Sequence, residues 1–212
     1  MWHPTSDPYP THHDMPLLPW LWRFGLFRVK SRFDQLLRRL YCRIARPPIE
    51  AIRFDVYGGK SVYIRQCISL QQAIPHLAAG KRIAINSRLP SGRHALMLDW
   101  DGVSEQMVRE WCTAAGGRWH LYRTDRGFHF ICTDRTLTFR QLVRAHYRTG
   151  FHENVGVHVS LFYGHGSLRV SPKQAGVRDI SKLGDVGEGE EIGEVLELVA
   201  AHDAAVELLQ GK

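Results

Sequence analysis

Residues 94–132 read HALMLDWDGVSEQMVREWCTAAGGRWHLYRTDRGFHFIC, and the alternation within them decides the fold. The apolar run that starts at Ala95 ends in Asp99-Trp100-Asp101, which predicts a strand over 95–100. Strand side chains alternate between faces, so Asp99 and Asp101 share one face while Leu98 and Trp100 share the other. Two carboxylates side by side repel unless a cation or a proton lies between them. Their oxygens suit magnesium or manganese. Ser104 can cap a helix that carries Met107, Val108, Trp111, Cys112 and Ala115 on one face, and Gly116-Gly117 stops it. Residues 119–123 then predict a strand, Asp125-Arg126-Gly127 a turn, and 128–132 the returning strand.

Downstream, Thr138 and Gln141 form a capping-box pair that opens a helix running to about Arg148. Strands are expected over 155–163 and 167–170, around a Gly-His-Gly turn. The order β-α-β-β-α-β predicts an α+β fold with a ferredoxin-like (RRM-like) core. That topology sets the first and third strands side by side, with His129 beside Asp99 and Asp101. Phe128, Phe130 and Cys132 would face the helices, leaving His129 and Ile131 with the carboxylates on an open face.

Upstream, 52–57 and 61–66 flank Gly58-Gly59-Lys60, the signal of a β-hairpin preceding the core. Ser69 begins a short helix that ends near Pro75 or Gly80, and 82–86 is a further strand. Residues 20–45 predict a basic amphipathic helix, with Phe33, Leu36, Leu37, Leu40, Tyr41 and Ile44 on one side. Arg32, Arg38, Arg39 and Arg43 take its other side, where they can grip nucleic acid or a membrane surface or simply stay solvated. Residues 192–209 read as an acidic helix. The expected organisation is a tail plus basic helix over 1–48, a core domain over 49–183, and an acidic segment over 184–212.

The net charge of +7 is uneven: eight acids against Lys212 give 184–212 a charge of −7, which leaves +14 on the rest. A basic body points to nucleic acid or nucleotides as partners. Cys42, Cys67, Cys112 and Cys132 form no CxxC pair, which argues against a zinc ribbon and for free thiols in a reducing cytoplasm. The histidines show no HxH or HExxH spacing. The longest apolar patch, 16–27, is short for a membrane span, contains Arg23 and follows no basic leader, so no membrane association is expected.

Taken in order, LMLDWDG, RGFHFI and GSLRVSPK resemble the motifs of the archaeo-eukaryotic primase superfamily, which includes the primase-polymerases. Asp99 and Asp101 match its hhhDhD motif, Gly127-Phe128-His129 its small-x-His motif, and Arg169 and Lys173 the basic part after its third acidic strand. The resemblance spans about residues 50–183. It implies an RRM-like catalytic core and template-directed nucleotidyl transfer dependent on Mg²⁺ or Mn²⁺. Asp99, Asp101 and His129 would be the catalytic set. Arg126, Gly127, His129, Arg169 and Lys173 would hold a nucleoside triphosphate opposite a single-stranded DNA or RNA template. The family's third acid would fall near Val157, His158 and Val159, where no Asp or Glu stands. Glu153 is the nearest carboxylate, and His158 can serve as the third metal ligand through a neutral imidazole. The chain carries no P-loop or helicase motif, so any unwinding partner is expected to be a separate protein.

Three other readings stay open. LMLDWDGV also resembles the nucleophile motif of haloacid dehalogenase-type phosphatases, with Thr133, Lys182 and Gly184-Asp185 as later motifs, although Gly184-Asp185 leads into Gly-Glu repeats that read as a loop. A catalytically degenerate primase-like module would bind nucleotide or template without efficient polymerisation. An RRM-like binding module would use Trp100, Tyr122 and Phe128 as stacking platforms.

Overall fold

The structure is a computed structural model that describes residues 51–58, 64–149, 164–173 and 179–210. The expected basic helix over 20–45, the strand over 155–163, Glu153 and His158 lie outside the described residues. Element order is β1 (Phe54–Gly58), β2 (Ile64–Ile68), α1 (Leu70–Ala78), β3 (Lys81–Asn86), β4 (His94–Asp101), α2 (Glu105–Ala115), β5 (Trp119–Thr124) and β6 (Gly127–Leu137). It continues with α3 (Phe139–Arg148), β7 (Ser167–Arg169), β8 (Ile180–Val186) and α4 (Gly193–Gln210). The described residues form a mixed α+β fold with two antiparallel sheets, ordered β2-β1-β3-β7 and β4-β6-β5-β8.

Local signals place the helices. Ser69 and Gln72 close a capping box on α1, and Thr138 and Gln141 close one on α3. The Ser104 hydroxyl accepts the Met107 N–H at the start of α2. Pro75 is carried inside α1, and the helix stops before Gly80, whose φ is +72°. On α2 the buried stripe narrows to Val108 and Cys112; Met107 and Ala115 lie on the solvent side, against the expected apolar face.

The β4-β6-β5 part of the second sheet carries the expected adjacency of its first and third strands. One face meets α2 and α3 through Leu98, Trp100, Leu121, Phe128, Phe130 and Cys132. Trp100, Trp111, Trp119 and Phe130 pack there edge-on or tilted, with ring centroids 5.1–5.8 Å apart. Trp100 and Phe128 are buried in this layer and Tyr122 in the core on the other face, so none offers a stacking surface for bases, contrary to the binding-module reading.

The opposite face is not open. Ala95, Met97, Tyr122 and Ile131 join a second core with Val195, Leu198, Val199 and Val206 of α4 and with Phe54, Ile83 and Ile85 of the first sheet. Apolar side chains at alternate positions around the carboxylates required such a cover. Residues 184–185 belong to β8, which pairs with β5 through a register shift at Leu121/Tyr122, and the Gly-Glu stretch after it, 187–192, is the expected loop. The 183/184 boundary thus falls inside a strand. The strand at 167–169 joins β3 in the first sheet. Cys67, Cys112 and Cys132 are buried. Among the described residues no helix is long and apolar enough to cross a membrane.

Candidate functional site

On β4, Leu98 and Trp100 are buried while Asp99 and Asp101 are partly exposed, as the strand alternation requires. Antiparallel pairing sets Asp99 directly opposite His129 and Asp101 opposite Gly127. The His129 Nε2 lies 3.5 Å from Asp99 Oδ1, with the imidazole almost fully buried and the carboxylate 16% exposed. Gly127 has a steric reason: a Cβ there would run into the Trp100 carbonyl oxygen. Only glycine lets β6 begin flush against the backbone of Asp101. The adjacent turn is fixed by Thr124 Oγ1, which accepts the Gly127 N–H at 3.0 Å, and by the Gly102 N–H donating to the Arg126 carbonyl at 2.8 Å.

Arg169 comes from the other sheet and Lys173 from the segment that follows it. Arg169, the last residue of β7, sets Nη1 2.9 Å from Asp179 Oδ2 and Nη2 3.8 Å from Asp125 Oδ1. Lys173 places Nζ 2.6 Å from the same Asp125 oxygen and donates its backbone N–H to Asp179 Oδ2 at 3.2 Å. The two residues sit close enough that their charges reach His129. Burial first, then the neighbouring His202 and the charges of Arg169 and Lys173, hold the His129 imidazole well below its ordinary value. It is neutral at pH 7. Tyr57 of β1 borders the same space: burial pushes its phenol up to about 12, opposed by Arg169 and reinforced by Asp99. Asp125 titrates below the usual carboxylate range; partial burial works against this, and Lys173 followed by Arg169 overcomes it.

Of the residues expected at the site, Asp99 and Asp101 stand on β4 opposite His129 and Gly127 on β6, while Arg169 ends β7 of the first sheet and Lys173 lies four residues beyond it. Arg126 projects into solvent, its Nε 4.0 Å from Asp125 Oδ2. His158 lies outside the described residues. Sequence reasoning missed Tyr57, Asp125, Asp179 and His202. The His202 ring lies 6.4 Å from that of His129 and 4.4 Å from that of Tyr122, and its Nδ1 is 3.1 Å from Asp203 Oδ1. A signal for it was present, since Val195, Leu198, Val199, His202 and Val206 recur at helical spacing. The Nδ1 of His129 and the Nε2 of His202 are both buried without a hydrogen-bond partner among the described residues.

The donor chemistry of Asp99 and Asp101 fits a hard divalent cation. Among the described residues no three His, Cys, Asp or Glu side chains converge on one point, so two carboxylates would hold the ion and leave its other positions to water or ligand oxygens. The phosphatase set does not assemble around Asp99. Asp99, His129, Tyr122 and Lys182 follow one another across four adjacent strands, which puts Lys182 about 14 Å away at ordinary strand spacing. Lys182 pairs instead with Asp203, and the buried Thr133 hydroxyl donates to the Glu191 carboxylate. Comparison with protein families, curated proteins and solved structures finds no match to this chain.

Proposed function

We propose that this protein is a template-directed nucleotidyltransferase of the primase-polymerase kind, working on nucleoside triphosphates and a single-stranded DNA or RNA template. The observation that carries the reading is Asp99 directly opposite His129 on adjacent strands, with Arg169 and Lys173 near enough for their charge to act on His129. In this reading β4-α2-β5-β6-α3 are the first five elements of an RRM-like unit.

Asp99 and Asp101 would hold Mg²⁺ or Mn²⁺. When bound, the cation neutralises phosphate charge and makes an attacking hydroxyl more acidic. Neutral His129 can donate Nε2–H to a phosphate oxygen, and burial keeps it from carrying a charge of its own. Arg169 offers a planar fork and Lys173 a point charge to the remaining phosphate oxygens. The protein's share of catalysis is then position and charge complementarity. The cytoplasm is the proposed location.

A second reading is a module that binds nucleotide or template without polymerising. It draws on the absence of a third carboxylate beside Asp99 and Asp101 among the described residues and on the cover that α4 lays over His129. A titration of fluorescent nucleoside triphosphate with Mn²⁺ tests what both readings share. Asp101→Asn and Lys173→Ala are each expected to weaken binding about tenfold, the loss of one charge-assisted contact. Equal binding by wild type and both variants would remove the site.

A further inference from the structure

Arg169 and Lys173 meet two carboxylates of different character. Asp179 is a built-in partner: its side chain is 5% exposed, and it takes both the Arg169 guanidinium and the Lys173 backbone N–H. Asp125 approaches from outside, 36% exposed, on the turn between β5 and β6. One of its oxygens, Oδ1, faces both cations, at 2.6 Å from Lys173 Nζ and 3.8 Å from Arg169 Nη2. The turn that presents it is held by Thr124, independently of the cations. A single anionic oxygen shared by a lysine and an arginine reproduces what a non-bridging phosphate oxygen does between the same groups.

From this geometry we infer that Asp125 is a resident stand-in for phosphate, which caps the Arg169–Lys173 pair in the nucleotide-free protein and is displaced when a polyphosphate enters. The inference rests on the reading that these two cations face a nucleotide's phosphates. Asp179 keeps Arg169 and the Lys173 backbone in place through the exchange, so the pair is already oriented when Asp125 leaves. A singly charged anion offers the cations nothing that Asp125 does not already give them. A polyphosphate brings several charges and displaces it, so Asp125 biases the site against monoanions.

Calorimetric titration of inorganic tripolyphosphate at fixed ionic strength tests this with wild type, Asp125→Asn, Lys173→Ala and the double variant; thermal melting confirms that each is folded. Asp125→Asn is expected to bind about fivefold more tightly, because a competing charge is removed from a partly exposed pair. Lys173→Ala should weaken binding in either background. A structural defect would not produce tighter binding. Wild-type binding with no gain in Asp125→Asn overturns the stand-in and leaves the phosphate-facing cations intact. No binding by wild type or Asp125→Asn overturns both. Tighter binding by Asp125→Asn without any nucleotide incorporation supports the stand-in while polymerisation fails.

Discussion

Asp99 and His129 are directly opposed on adjacent antiparallel strands, Oδ1 to Nε2 3.5 Å, with the imidazole buried and held neutral. That arrangement sets a pH dependence. The folded-state imidazole titrates well below 6.5, so as pH falls the unfolded chain takes up this proton first. Stability from His129 is complete above about pH 6.5 and is lost as pH falls below that value, until the folded group itself protonates. The slope is at most about 1.4 kcal/mol per pH unit. Urea denaturation at pH 7.5 and 5.5 is expected to show a smaller loss in His129→Gln than in wild type, by about 1 kcal/mol. Parallel losses would mean that the buried imidazole is not depressed.

Gly127 makes a steric prediction. Its missing Cβ leaves room for the Trp100 carbonyl, so Gly127→Ala must push β6 away from Asp101. A cost of about 1–3 kcal/mol is expected from the overpacking. The denaturation midpoint should fall, and Mn²⁺-dependent nucleotide binding should weaken with it. A variant with wild-type stability would show that the two strands do not meet as closely as described.

The acidic C-terminal helix is an integral layer. At its end, Gln210 Oε1 accepts the backbone N–H groups of Asp179 and Ile180 at 2.9 and 3.0 Å, and Nε2 donates to the Val170 carbonyl at 2.6 Å. Gln210→Ala leaves these buried groups without their partner, and a loss of about 2 kcal/mol or more is expected from the unmade bonds. Hydrogen exchange should speed up in α4 and at 179–180 before the rest of the molecule. Deleting α4 uncovers Met97, Tyr122 and Ile131, so an aggregating protein is expected in place of an activated one. A soluble, cooperatively folding truncation would show that the helix is only a detachable cover.

The caps of α1, α2 and α3 were legible because Ser69, Ser104 and Thr138 act within three residues of themselves. The Asp99–His129 pairing was legible from the alternation in β4 and β6 combined with one topological rule. The cover over that face depends on contacts far apart in sequence, although Met97, Tyr122 and Ile131 beside the carboxylates already argued against solvent there. β8 escaped because Gly184 and the register shift opposite Leu121 and Tyr122 break its period of two. Asp125 and Asp179 escaped because ion pairing between a turn and a distant strand leaves no local pattern.

The most direct measurement is incorporation of labelled nucleotides on single-stranded templates with Mn²⁺ or Mg²⁺, wild type beside Asp99→Ala. The account predicts extended product with wild type and none with the variant, the two proteins melting within a few degrees of each other. No product from wild type under any template and metal, or equal product from both proteins, would contradict it.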